Sequence, residues 1–158
     1  MGTVLYVCRA NQCRSAIAAA SLRKFIREVA PTSGINVASA GTWASQGASV
    51  PASIIELANS IGLPGLSRHR TRRIDYNIIQ SADIVIVMEL GQREAILSEF
   101  PDFKKKVYLL SELAEGSFFD IPDPALPGVN QSGVVLDICR LVEKSTPKII
   151  EMLSEVKN

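Results

Sequence analysis

Apolar positions along the chain gather into short continuous runs separated by amphipathic stretches. Thr3 to Val7 (TVLYV) has no polar residue after Thr3 and reads as a strand buried on both faces. Ile84 to Met88 has the same character, and Ile35 to Ala38 and Val107 to Leu110 are shorter strand candidates. Between these runs the period lengthens. After Ser15, positions Ala18, Leu22, Phe25, Ile26 and Val29 form one helical stripe. Ile54, Ile55, Leu57, Ala58 and Ile61 mark a second helix, with Pro51 in its first turn and Gly62 as its stop. A short helix is predicted to end at about Gln80, and another to run from Gln92 to Glu99 before Pro101. A long one runs from about Ser132 towards Lys157, and Pro147 is expected to kink or split it. Glu115 to Gly128, with Pro122, Pro124 and Pro127, reads as loop. Strands alternating with helices predict an α/β fold: a parallel sheet with helices on both faces and right-handed crossovers.

Length and composition narrow the class. A chain of 158 residues, 47% hydrophobic, is large enough to bury about 70% of its unfolded surface in one domain, 1–158. The net charge of +1 gives no global field for nucleic acid or an anionic membrane. No stretch reaches the ~18 apolar residues of a membrane helix. No basic segment followed by a long apolar run opens the chain, so no signal peptide is expected. Met1-Gly2 begins like a myristoylation site, but position 6 is Tyr rather than Ser or Thr. Three cysteines, an odd number without framework spacing, point to a reducing, cytoplasmic setting. One His and three scattered Cys are too few for a structural zinc site.

The candidate chemistry lies between the first strand and the first helix, at Cys8-Arg9-Ala10-Asn11-Gln12-Cys13-Arg14-Ser15. A loop running from a strand's carboxyl end into a helix N-terminus leaves backbone N–H groups free, and the helix dipole adds positive potential there. Such loops bind phosphate-like anions. Arg14 would be an unfavourable cation in a first helical turn unless an anion sat opposite it, and its fork suits two oxygens of that anion. A cysteine at the mouth of this ring is a nucleophile aimed at the anion's phosphorus, since a positive field favours the thiolate. Asn tolerates left-handed backbone, which suits Asn11 to a tight ring.

The pattern Val-Cys-x-x-Asn-x-Cys-Arg-Ser at the N-terminus, with Asp123-Pro124 late in the chain, resembles the signature of the low-molecular-weight protein tyrosine phosphatases. Ser39-Ala40-Gly41-Thr42 and His69-x-x-Arg72 also fit, so the resemblance covers essentially the whole chain. It implies a four-stranded sheet of order 2-1-3-4, with the Cys8 loop near its centre. It implies a phosphomonoesterase acting on phosphorylated protein or peptide residues, phosphotyrosine first, through a phosphocysteine. Cys8 would attack, Arg14 would hold the phosphate, and Asp123 would be general acid and then general base. Arg9, Ala10, Asn11, Gln12, Cys13, Arg14 and Ser15 would ring the phosphate. Asn11, Ser15, Ser39, His69 and Arg72 would support that ring, and Ser15 could donate to the Cys8 sulfur. No metal, cofactor, nucleic acid or membrane is implied. Cys13 either traps oxidised Cys8 as a disulfide or is simply a small buried residue.

Departures from the family pattern bear on the substrate. Ala10 stands where members usually have Gly, which would carry a strain if that position needed positive φ. Ala125 and Leu126 follow Asp-Pro where tyrosine-specific members carry aromatic residues. Gln12 matches neither the Ile of tyrosine-specific members nor the Thr of arginine-specific ones. Trp43, Gln12 and Leu126 are the expected pocket walls. Three alternatives remain at this level: a protein arginine phosphatase, a thiol-dependent arsenate reductase with Cys139 as its one further thiol, and a silent phosphate-binding module.

Overall fold

A computed structural model describes residues 2–158, with Met1 of the Met1-Gly2 pair outside the described residues. Four parallel strands, β1 (Gly2–Cys8), β2 (Ile35–Gly41), β3 (Ile84–Val87) and β4 (Val107–Leu109), form one sheet in the order β2-β1-β3-β4. That is the fold class and strand order expected. The helices are α1 (Arg14–Val29), α2 (Ala52–Ser60), α3 (Tyr76–Ser81), α4 (Leu90–Glu99), α5 (Leu110–Glu115) and α6 (Gln131–Glu155).

Both faces of the sheet are covered, which is why β1 and β3 read as unbroken apolar runs. Val4, Tyr6 and Cys8 face one core with Ile17, Leu22, Ile54, Ile138 and Ile149. Leu5 and Val7 face the other with Ile79 and Ile96. The chain reverses its direction of sheet growth between β1 and β3. In such sheets, ligands gather at the carboxyl ends of the strands flanking that reversal. Cys8 ends β1 and Glu89 follows β3 closely.

Three elements differ from expectation. Strand β2 extends three residues beyond Ala38, because Ser39, Ala40 and Gly41 stay in register with Tyr6, Val7 and Cys8. Their small side chains read as loop, yet they allow the Cys8 loop to lie against the strand. A Cβ on Gly41 would sit 2.5 Å from the Arg9 carbonyl oxygen. Helix α5 is not among the expected elements; it takes the last residue of the expected strand Val107 to Leu110 and follows β4 without a connecting residue. Helix α4 starts at Leu90 rather than Gln92, because the Gln92 Oε1 accepts from the Met88 and Glu89 N–H groups at 3.0 and 3.1 Å.

Pro147 does not split α6, which runs unbroken from Gln131 to Glu155. Proline removes one backbone hydrogen bond and crowds the preceding turn. Burial of Ile138, Leu141, Val142, Ile149 and Leu153 on either side of Pro147 holds the helix together across it. Pro147 itself is exposed. Pro147→Ala should therefore restore a backbone bond without touching the core. We expect it to raise stability by about 1–3 kcal/mol in urea unfolding. A fall in stability would mean that α6 is not continuous at this position.

Candidate active site

The site is assembled where β1 gives way to α1. Asn11 is the one non-glycine with positive φ among the described residues, at 57°. Ala10 carries none of the strain that a left-handed position would impose, because the turn is made by its neighbour. Asn11 is fully buried and its side chain is fully used. Its Oδ1 accepts from the Arg72 backbone N–H at 3.0 Å, and a backbone amide can only donate. The Nδ2 group must therefore face the two hydroxyls it meets, Ser15 at 2.9 Å and Ser39 at 3.0 Å.

Ser15 carries the network on to the sulfur. The Ser15 oxygen receives the Asn11 proton, so its own proton is free to point outward. The Cys8 Sγ lies 3.0 Å away, against 3.4 Å for the competing Ala40 carbonyl. Backbone bonds from Thr42 N–H to Cys8 O and from Trp43 N–H to Arg9 O, both 2.9 Å, clamp the loop to the end of β2.

His69 braces the ring from below. Its Nε2 meets the Asn11 carbonyl at 2.7 Å, and because that carbonyl only accepts, Nε2 carries the proton. Burial pushes the ring's pKa below its ordinary 6.5, the Asn11 bond opposes this, and Arg23, Arg70 and Arg72 add to the lowering. Arg72 donates its Nε–H to the Ser39 carbonyl at 3.0 Å. The loop-supporting set of Asn11, Ser15, Ser39, His69 and Arg72 thus lies together.

Arg14 opens α1 with its side chain buried. Its Nη1 donates to Glu89 Oε1 and, at 2.8 Å, to the Ile121 carbonyl, while Nη2 lies 4.0 Å from Asp123 Oδ2. Two carboxylates and a carbonyl offset the charge that the helix dipole opposes. Glu89 is the residue that sequence reasoning missed. Its signal was an acid one residue past the buried run Ile84 to Met88, three residues before a Gln that could cap the helix. The other Asp123 oxygen, Oδ1, accepts from the Ala125 N–H at 2.9 Å, so the carboxylate is turned towards Arg14 by its own loop.

Cys8, Arg14 and Asp123 meet in a narrow cleft of about 40 Å³, which Ala10, Gln12, Cys13, Pro51 and Ala125 also line. Gln12 is held there by donating Nε2–H to the Ser49 carbonyl at 3.3 Å. The other two expected walls are elsewhere. Trp43 and Leu126 are 72% and 56% exposed and do not line the cleft. The backbone bond to Arg9 holds the Trp43 main chain, not its indole, against the loop. Leu126 closes the turn that begins at Asp123 and projects outward. Pro51 and Ala125 stand in their place. Cys13 is buried, and desolvation, then Asp123 and Cys8, push its thiol up to about 12 against a smaller pull from Arg14. Arg9 is exposed. Cys139 lies apart on α6, in a second cleft beside Ser21 and Lys24.

The family model described as low molecular weight phosphotyrosine protein phosphatase matches residues 3–158. The chain belongs to that family. A protein-arginine-phosphatase of Geobacillus stearothermophilus is 30% identical over 154 residues, covering 96% of this chain and 93% of the relative. A probable low molecular weight protein-tyrosine-phosphatase, EpsP, of Ralstonia nicotianae is 34% identical over 122 residues, 77% of each chain. Among solved structures, the YwlE arginine phosphatase of Geobacillus stearothermophilus matches with a TM-score of 0.84 at 26% identity, covering 98% of this chain and 97% of that one. The tyrosine phosphatase Wzb of Escherichia coli K30, in complex with sulphate, matches at 0.77 and 26% identity, covering 97% and 99%.

Two expectations test the bracing of this family's loop here. Asn11→Ala leaves Ser15, Ser39 and the Arg72 amide short of partners and puts at positive φ a residue that tolerates left-handed backbone less well than Asn. We expect a loss of at least about 2 kcal/mol in chemical unfolding. For His69 the folded pKa is lowered, so the unfolded chain takes up its proton first as pH falls. Its contribution favours the folded state above about 6.5 and fades below it. Stability measured between pH 7 and pH 5 should fall more steeply in the wild type than in His69→Gln, which keeps a donor but does not titrate.

Proposed function

We propose that the protein is a metal-independent phosphomonoesterase, one domain over 1–158, that hydrolyses phosphorylated protein residues through a phosphocysteine on Cys8. The observation that carries this reading is the convergence of Cys8, Arg14 and Asp123 on one cleft, with the Ser15 hydroxyl 3.0 Å from the Cys8 sulfur.

The Cys8 thiolate attacks phosphorus as the ester P–O bond breaks. Asp123 gives its proton to the departing oxygen, so that no free alkoxide or phenoxide forms. Arg14 and the loop amides hold the transferring oxygens and take up charge as it develops, the task a metal performs elsewhere. In the second step water attacks phosphorus and passes its proton to the Asp123 carboxylate. The S–P bond breaks, phosphate leaves, and Ser15 donates to the returning thiolate.

Phosphotyrosine is the first substrate on this reading. A second reading, phosphoarginine, is supported by one observation: the cleft is walled by Gln12, Pro51 and Ala125, with no aromatic ring among its lining residues to stack on a phenol. The place of Cys139 in a separate cleft supports phosphatase over arsenate reductase, which needs a thiol relay to the nucleophile. Asp123 beside Arg14 supports turnover over silent binding, which needs no acid.

Cys8→Ser should abolish hydrolysis of p-nitrophenyl phosphate, and EDTA should leave the wild type unaffected. Asp123→Asn should lower kcat about 10²–10⁴-fold on phosphotyrosine peptides and less on the better leaving group p-nitrophenolate. Turnover of phosphotyrosine, phosphoarginine and phosphoserine peptides by the wild type, Gln12→Ile and Gln12→Thr decides the substrate. Full activity in Cys8→Ser overturns the mechanism.

A further inference from the structure

A third cleft, of about 410 Å³, lies between α1 and the short 3-10 turn Leu66–Arg68, and its lining includes Arg23, Arg27, Arg68 and His69. Its floor is apolar, built by Ala16, Ala20 and Leu66, all buried. Ala16, Ala20, Arg23 and Arg27 follow one stripe of α1, so two small residues open the floor and two guanidinium groups close one end. Arg68 reaches in from the turn opposite.

Arg23, Arg27 and Arg68 are exposed, so this charge is solvated and open to an incoming ligand. The chain is nearly balanced, with 17 Lys+Arg against 16 Asp+Glu, yet no acid lines this cleft. Among the described residues no ion pair involves Arg23, Arg27 or Arg68. Arg23 spends one donor on the Val37 carbonyl at 2.7 Å, which fixes its fork at the cleft edge. Arg23 and Arg27 stand one turn apart, a like-charge spacing that destabilises a helix. Burial and Arg27 together push the Arg23 guanidinium below its ordinary value. Such a cluster fits an anion better than it fits its own neighbours, and the volume falls in the range of small-molecule sites.

We propose that this cleft is a binding site for a polyphosphate-type anion, separate from the Cys8 loop. Arg27 and Arg68 grip its oxygens from opposite sides, Arg23 closes the end, and the apolar floor lies beneath. The site meets the catalytic loop at one residue, since His69 lines it and also donates to Asn11. The inference does not rest on the hydrolytic reading.

His69 is the one histidine in the chain, so its ring gives an unambiguous magnetic-resonance reporter. The probe is inorganic tripolyphosphate, added at fixed pH to protein saturated with vanadate so that the Cys8 loop is filled. Calorimetry run with and without vanadate counts the sites. We expect one equivalent bound under vanadate, with a saturable shift of the His69 ring signals that weakens as salt rises. Arg27→Gln with Arg68→Gln should lower that affinity at least about tenfold, while p-nitrophenyl phosphate turnover without added tripolyphosphate stays at the wild-type level. Absence of binding under vanadate, or binding that the double variant retains, overturns the proposal. If p-nitrophenyl phosphate is not hydrolysed at all, the catalytic reading fails, while calorimetry on the two proteins still decides this one.

Discussion

Asn11 holds a left-handed turn while its amide spans three separate pieces of chain. It binds Ser15 at the start of α1, Ser39 near the end of β2, and the Arg72 amide beyond the 3-10 turn. Glycine could adopt the same backbone but has no amide to do the rest. Through Ser15 this network also reaches the Cys8 sulfur, 3.0 Å from the hydroxyl oxygen. The ring at the end of β1 is therefore fixed by buried, fully satisfied hydrogen bonds rather than by apolar packing. Such a network specifies one geometry because any half-made version strands a polar atom in the core.

The sheet delivers these partners to one place. Parallel pairing sets Cys8 opposite Gly41, and Gly41 alone is small enough for the Arg9 carbonyl to approach the strand there. The reversal of direction between β1 and β3 then brings Glu89 to the same edge, within reach of Arg14. A buried guanidinium without partners would be severely penalised. Here Glu89, the Ile121 carbonyl and the more distant Asp123 share it. The arrangement tolerates a cation at the N-terminal end of α1, where the dipole would otherwise expel it.

The fold was legible because its two central strands are buried on both faces and its helices carry clear stripes. The elements that escaped were those whose residues serve two needs. Ser39, Ala40 and Gly41 are strand by register but small because the ring packs on them. Residues 110–115 form a helix whose first residue is also core, so the apolar run from Val107 hid the boundary. Within the site, the strand-to-helix loop marked Cys8 and Arg14, and the family resemblance added Asn11 and Ser15, all four lying on eight consecutive residues. Glu89 and Pro51 come from distant segments, Glu89 from just past β3 and Pro51 from the start of α2, and only the tertiary fold brings them to the loop. Trp43 and Leu126 were misplaced for the opposite reason. Their backbones belong to the site, but a side chain's direction follows from the local turn, which sequence proximity does not reveal.

These facts separate two demands on the protein. Phosphate would meet groups held by the sheet register and the Asn11 network, which the chain cannot vary without losing the ring. The group carrying the phosphate would meet Gln12, Pro51 and Ala125, and Ala125 is exposed on a loop that nothing in the sheet constrains. Gln12 is held through one bond of 3.3 Å to a loop carbonyl, far looser than the bonds around Asn11. Substitution at these positions changes the wall without touching the sulfur's surroundings. A common chemistry with divergent substrates follows from that division. Relatives named for tyrosine and for arginine at comparable identity to this chain are what it predicts.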